Sequence, residues 1–209
     1  MKQKISNGVY NNYFLKGEKI ELHPIEIKDL KKLSRLIAKW INDGIVTYYL
    51  FRGQKPQNSE QVAADLKKQL DEKNNAIFLI VDSKKNKPIG YAGLYEIHPI
   101  ARKAESRLLI GEKDFWGKGY GAEVVELLTF YGFDRLNLNR IYLGYTDKNK
   151  GSGKIYENAG YVYEGTLKED IYRNSKYYNS IRMALLRKDY YKKFYKSHLE
   201  RFKQISAKK

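Results

Sequence analysis

The chain contains no cysteine. Disulfides, thiolate metal ligands and a cysteine nucleophile are therefore excluded together. It also lacks an N-terminal apolar run of signal-peptide type, and no stretch approaches the roughly 20 apolar residues of a membrane-spanning helix. The expectation is a soluble cytoplasmic protein without membrane contact. Acidic residues are in the minority: 24 Asp and Glu stand against 40 Lys and Arg, a formal net charge of +16. Lysine far outnumbers arginine, whereas nucleic-acid readers favour arginine. The excess thus reads first as a lysine-rich surface, with nucleic-acid binding an alternative that is not favoured. Such a field attracts anions and repels polycations.

What remains is a globular composition, 42% hydrophobic and 14% aromatic, in 209 residues. That length fits one α/β domain with a full core. There is no internal repeat and no inter-domain linker. The expected division is an N-terminal arm or short hairpin over 1–17, a domain over 18–190, and a basic, aromatic helical extension over 191–209. Apolar periodicity predicts strands at 19–24, 77–81, 89–97, 105–111, 140–145, 161–172 and 176–186. It predicts helices at 27–41, from Asn58 with Gln61 as capping-box partner, from about Ala122, and at 152–158. The loop from Tyr48 to Asn58, with Tyr48, Tyr49, Phe51 and Arg52, is either a binding wall or a cover for the core. His23 and His98 stand at strand ends with no partner motif and are read as structural.

The organising stretch runs from Ala104 to Tyr161. An apolar strand ends at Gly111, a glycine-studded turn spans Trp116–Gly121, and a helix follows. Strand, glycine turn and helix N-terminus together present unpaired backbone N–H groups to an anion. Glycines 117, 119 and 121 remove Cβ atoms from that approach, and Lys118 adds charge. The pattern is not a nucleoside-triphosphate loop, because no Lys-Ser/Thr follows the glycines. Nor is it a dinucleotide fold, because no acid stands near Arg140 or Ile141 to take a ribose. The glycines alone are equally compatible with a tight turn that binds nothing.

The turn W-G-K-G-Y-G resembles the Q/R-x-x-G-x-G/A phosphate turn of the GNAT acetyltransferase superfamily, with Trp116 in the Q/R place. A second family signature, N-x-x-A-x-x-x-Y-x-x-x-G-F, is matched by Asn149, Ser152, Tyr156, Gly160 and Tyr161. Further likeness lies in W-I-N-D (from Trp40), P-I-G-Y-A-G-L (from Pro88), E-G-T-L-K-E (from Glu164) and R-M-A-L-L (from Arg182). The resemblance covers residues 19–190 and points to the branch acting on ribosomal-protein N-termini, polyamines and amino-sugars.

The resemblance implies a mixed α/β fold: a central sheet flanked by helices, with two parallel strands splayed apart at a bulge. It implies acetyl-CoA as cosubstrate and no metal. Backbone donors lie around Leu108, Leu109 and Ile110, and the pyrophosphate on Trp116, Gly117, Lys118, Gly119, Tyr120 and Gly121. Asn149 and Ser152 contact the cofactor arm, Tyr156 takes the general-acid place, and Glu105 or water serves as base. The phenol, with pKa about 10 against about 8.5 for a thiol, lies about 2 kcal/mol from outright proton transfer. It is therefore expected to act first as a hydrogen-bond donor. The implied acceptor is a primary amine, either a protein N-terminal α-amine or an amino-sugar on a nucleotide carrier. A polyamine is the alternative acceptor, and a non-catalytic module binding coenzyme A or RNA is the alternative function. The expected assembly is a monomer or homodimer. Two departures from the family pattern stand out: Asn179 replaces the usual late acid, and Gly151-Ser152-Gly153 makes one helix start glycine-rich, which is expected to loosen the cofactor contact.

Overall fold

A computed structural model describes residues 12–51 and 53–206, the last four by backbone alone. Residues 1–11 of the expected arm, Arg52 of the aromatic loop and 207–209 of the extension lie outside the described residues.

Among the described residues eight strands form one sheet in the order β1-β2-β3-β4-β5-β6-β8-β7. They are β1 (Leu15–Lys16), β2 (Ile20–Pro24), β3 (Ala76–Asp82), β4 (Lys87–His98), β5 (Lys103–Ile110), β6 (Arg140–Thr146), β7 (Val162–Arg173) and β8 (Lys176–Leu186). Every pairing is antiparallel except β5 with β6. Among the described residues the sheet begins at Leu15, inside the stretch read as an arm or hairpin.

Strand β3 shows why both faces are covered. Its continuous apolar run A-I-F-L-I-V sends alternate side chains to opposite sides. Phe78 and Ile80 pack into the core beneath helix α3 (Tyr120–Phe130), and Ile77, Leu79 and Val81 into a second core beneath α1 (Leu30–Asn42) and α2 (Ser59–Asp71). The capping box of α2 forms as its sequence predicts: Gln61 N donates to Asn58 Oδ1 at 2.8 Å, and Asn58 N to Gln61 Oε1 at 2.9 Å. Helix α1 is fixed by Trp40, which is fully buried and donates its indole N–H to Glu112 at 2.8 Å. Burying such a ring contributes roughly 2–3 kcal/mol. Gly111 makes room for it, since a Cβ there would stand 2.1 Å from the Trp40 ring. The end of β5 is thereby held against α1.

The C-terminal extension is two helices rather than one. Helix α5 (Arg187–Lys193) stops at Phe194, whose φ of −124° leaves the helical region, and α6 (Tyr195–Ser206) turns back. Phe194 packs over Gly160, where a Cβ would meet its ring at 2.3 Å. Helix α6 docks on α3: Phe202 lies 5.5 Å from Phe130, and Arg201 reaches Glu18, Glu123 and Glu126.

Asn179 also has a structural explanation. Its amide donates to Asp147 Oδ2 at 3.3 Å while its carbonyl oxygen accepts from Glu169 N at 3.0 Å, across the register shift of β7. An ionised carboxylate accepts only and could not make both bonds.

Candidate active site

Pairing between β5 and β6 ends at Glu105↔Tyr142. Beyond that point β5 continues along β4 to Gly90↔Ile110, while β6 continues along β8 to Thr146↔Ser180. The two parallel strands therefore splay. The register shift beside the splay is in β4, between Tyr95 and His98, where Glu96 has φ of +53°. Alternation along β5 decides which backbone groups face the gap. Gly111 N donates to Ile89 O, so Gly111, Leu109 and Arg107 turn their main-chain groups toward β4, and Ile110, Leu108 and Ser106 turn theirs into the gap. Of the three expected donors, Leu108 and Ile110 fit. Leu109 instead contributes its side chain.

Two cavities open on the splay. The larger, about 710 Å³, is lined by Ile110, Trp116, Gly117, Gly119, Tyr120 and Gly121 among others. The smaller, about 470 Å³, is lined by Phe51, Tyr91, Tyr95, Glu105, Arg107 and Arg182 among others. Leu108, Leu109, Asn149, Ser152, Tyr156 and the Tyr49–Leu50 wall border both. Every site residue expected from sequence lines one or both cavities except Lys118.

The glycine turn leads into α3. Gly117 and Gly119 have φ of +69° and +84°, the left-handed region that disfavours side chains. Gly119 caps α3 without a side-chain bond, so the first N–H groups of the helix are left for a ligand. The flanking side chains brace the turn. Trp116 Nε1 donates to Ile110 O at 2.9 Å. Tyr120 donates its hydroxyl to Asp82 Oδ1 at 2.7 Å, and that bond pushes its pKa up to about 12. Lys19 Nζ donates to the Lys118 carbonyl at 2.8 Å. Lys118 does not line either cavity, and the hydroxyl of Tyr120, which lines the larger one, is taken by Asp82.

Helix α4 (Lys150–Asn158) carries Tyr156. Asn149 caps it, accepting from Ser152 N at 3.1 Å, which leaves the Asn149 NH2 group as the available donor. The expected loosening by Gly151-Ser152-Gly153 has a counterpart in packing: a Cβ on Gly153 would lie 2.8 Å from the Tyr145 hydroxyl, so the glycine admits that ring. Tyr145 then lies 5.8 Å from Tyr156 and Tyr161 lies 6.0 Å from it. Burial among these rings pushes the Tyr156 phenol up to about 12. Its hydroxyl has no hydrogen-bond partner among the described residues. At that pKa the gap to a thiol widens to about 3.5 units, about 5 kcal/mol, so the phenol shares its proton in a hydrogen bond far more readily than it gives it up.

Glu105 lines the smaller cavity, but its carboxylate is held by Arg107, with Nε at 2.8 Å. Arg107 also binds Glu96 at 2.8 Å and lies over the Tyr95 ring at 4.7 Å. Taking a proton requires Glu105 to give up part of that contact. Sequence reasoning missed Tyr91, Tyr95, Tyr145, Arg107 and Arg182 as cavity residues. The available signal was Gly144 in β6, a strand glycine that leaves space for a neighbour.

Comparison with known proteins agrees with this geometry. The acetyltransferase (GNAT) domain family matches residues 19–162. The spermidine N(1)-acetyltransferase of Escherichia coli K12 is 30% identical over 173 residues, 82% of this chain and 88% of that one. A putative ribosomal N-acetyltransferase of Bacillus subtilis is 26% identical over 179 residues, 83% of this chain and 94% of that one. The spermidine N-acetyltransferase of Vibrio cholerae, solved with CoA and spermine, superposes with a TM-score of 0.74 at 28% identity, covering 84% of this chain and 99% of that one. Family match, full-length relatives and a splayed sheet bordered by a glycine turn converge: this chain belongs to the GNAT acetyltransferases and is an acetyl-CoA-dependent N-acetyltransferase of primary amines.

Proposed function

We propose that the acyl carrier occupies the larger cavity, the amine enters through the smaller one, and transfer takes place where they meet at Leu108, Asn149 and Tyr156. The observation that carries this reading is the shared lining of the two cavities at the unpaired edge of β5. The residues fit the carrier. The larger cavity has the volume for an extended pantetheine arm, and its far end is a glycine turn with unpaired N–H groups. Acetyl-CoA supplies an activated acyl thioester.

The chain's own groups do the rest. Leu108 N–H and Ile110 N–H face the gap and hydrogen-bond to oxygen where negative charge develops. The Tyr156 hydroxyl, protonated and without a protein partner, donates toward the departing sulfur. Asn149 holds the arm through its NH2 group. Glu105, the sole carboxylate lining the smaller cavity among the described residues, receives the amine's proton directly or through solvent. The demand on it depends on the acceptor. Deprotonating a lysine-like amine of pKa about 10.4 at pH 7 costs about 4.6 kcal/mol, and an α-amine near 8 only about 1.4 kcal/mol.

The acceptor is a protein N-terminal α-amine or a nucleotide-linked amino-sugar. A polyamine is the second reading, favoured by the spermidine acetylation of the relatives from Escherichia coli and Vibrio cholerae. The test of the transfer site is Tyr156→Phe. The substitution should lower kcat about a hundredfold, at the modest end of acid catalysis, while the Kd for CoA changes less than about twofold. Undiminished kcat would return Tyr156 to packing.

A further inference from the structure

The smaller cavity holds two arginines in different states. Arg107 is engaged: two carboxylates, Glu105 and Glu96, grip its guanidinium, and Tyr95 lies beneath it. Arg182 is not. Its guanidinium makes no hydrogen bond among the described residues, and its ion pair with Asp170 is 3.8 Å long, beyond hydrogen-bonding distance. Arg182 stands on β8 directly opposite Gly144 of β6. A Cβ on Gly144 would be 2.7 Å from Arg182 Nη1, so the glycine is what lets this guanidinium lie across β6 at the cavity wall. The same wall carries the rings of Tyr49, Phe51, Tyr91, Tyr95 and Tyr145, with Gln69, Ser106, Asn149 and Ser152 as its uncharged polar side chains. Around an amine acceptor, the cavity thus presents ring surfaces, a few uncharged polar groups, one carboxylate already tied to arginine, and one guanidinium fork with no hydrogen bond of its own among the described residues.

We infer that the acceptor is a primary amine carrying an anionic group, phosphate or carboxylate, and that Arg182 is the residue selecting it. The inference rests on the transfer site proposed above and names its substrate class. A guanidinium binds either anion bidentately, which orients the amine as well as holding it. A polyamine meets the opposite situation. Each of its ammonium groups would need a carboxylate, and the one carboxylate lining the cavity among the described residues, Glu105, is already held by Arg107. The formal net charge of +16 acts in the same direction at longer range.

The test uses matched acceptors on the full chain saturated with CoA or acetyl-CoA. Glucosamine against its phosphate monoester forms the phosphate arm, alanyl-glutamine amide against alanyl-glutamate amide the carboxylate arm, and spermidine the polycation. Calorimetry on the CoA complex gives Kd, and thiol release gives kcat/KM. In at least one arm the anionic member is expected to bind about tenfold tighter or better than its neutral partner. Arg182→Gln should bring that ratio to within about twofold, and Gly144→Ala, which displaces the guanidinium, should lower it in part. The arm that responds identifies the anion. Tighter binding of spermidine than of every anionic amine, equal binding within both pairs, or a ratio that survives Arg182→Gln would overturn the inference. Should no acceptor be acetylated while CoA binds, the transfer site fails, and calorimetry still decides the role of Arg182.

Discussion

At the scale of single residues, the donor role proposed for Tyr156 turns on its protonation state. Burial raises its phenol to about 12, so the neutral, donating form persists across the working range of pH. The pH profile of kcat/KM should rise as the acceptor amine loses its proton and show no descending limb below about pH 11. A limb falling near pH 9 would mean that another group donates. The same shift bears on stability. A folded-state pKa above the unfolded value near 10 favours the neutral phenol in the fold, so its contribution is intact below pH 10 and lost as pH rises toward 12. Burial shifts Tyr161 and Tyr190 in the same direction. Urea midpoints should therefore be level from neutral pH to about 9 and fall steeply above 10, and less steeply in Tyr156→Phe. Tyr156 was legible in the sequence only through its spacing from Asn149, Ser152 and Gly160, because nothing local separates it from the other 18 tyrosines of the 19. Arg182 was not legible: its role depends on Gly144, nearly 40 residues earlier, standing beside it in the sheet.

At the scale of elements, the phosphate turn is propped from behind by the β1–β2 turn. The buried carboxylate of Glu123, in the first turn of α3, accepts from Glu18 N at 2.6 Å and Lys19 N at 2.9 Å. Lys19 in turn donates to the Lys118 carbonyl. Lys19→Met should weaken CoA binding about fivefold, the order expected for losing one charge-assisted bond in a partly exposed turn. Calorimetry checks this, and an unchanged Kd would leave Lys19 outside the cradle. Helix α6 has a pH dependence of its own. His198 is buried against Tyr190, with Nδ1 3.2 Å from the hydroxyl, and burial followed by the nearby Arg201 lowers its pKa to about 4. The fold holds the neutral ring, so this contribution is present above about 6.5 and is lost as pH falls toward 4. Amide exchange in α6 should accelerate across that window ahead of the sheet; exchange independent of pH, once intrinsic rates are removed, would contradict it. Strand β3, the capping box of α2 and the glycine turn were readable because each rests on local periodicity or cap chemistry. The break at Phe194 and the bulge at Glu96 were not, because the first answers to Gly160 and the second to Arg107.

At the scale of the whole molecule, a sheet covered on both faces supplies rigid lips for the gap. One core locks β5 to α1 through Trp40, and the other holds α3, α4 and α6 against the opposite face of the sheet. The splay persists because the two lips are hydrogen-bonded outward, β5 to β4 and β6 to β8, and have no ladder to each other beyond Glu105 and Tyr142. The aromatic loop that sequence left between two roles lines both cavities at Tyr49 and Leu50 and is held down by Thr146 Oγ1 donating to Tyr49 O at 2.6 Å. Among the described residues no helix is long and apolar enough to cross a membrane. The fold as a whole thus amounts to a frame that keeps one seam open between an anion cradle and an aromatic chamber. A crystal structure with CoA tests this most directly. The diphosphate is expected on the N–H groups of Gly117 to Gly121, with the arm along Leu108 and Ile110 and the sulfur within hydrogen-bonding reach of the Tyr156 hydroxyl. CoA bound elsewhere, or a seam closed by β5–β6 pairing beyond Glu105, would contradict it.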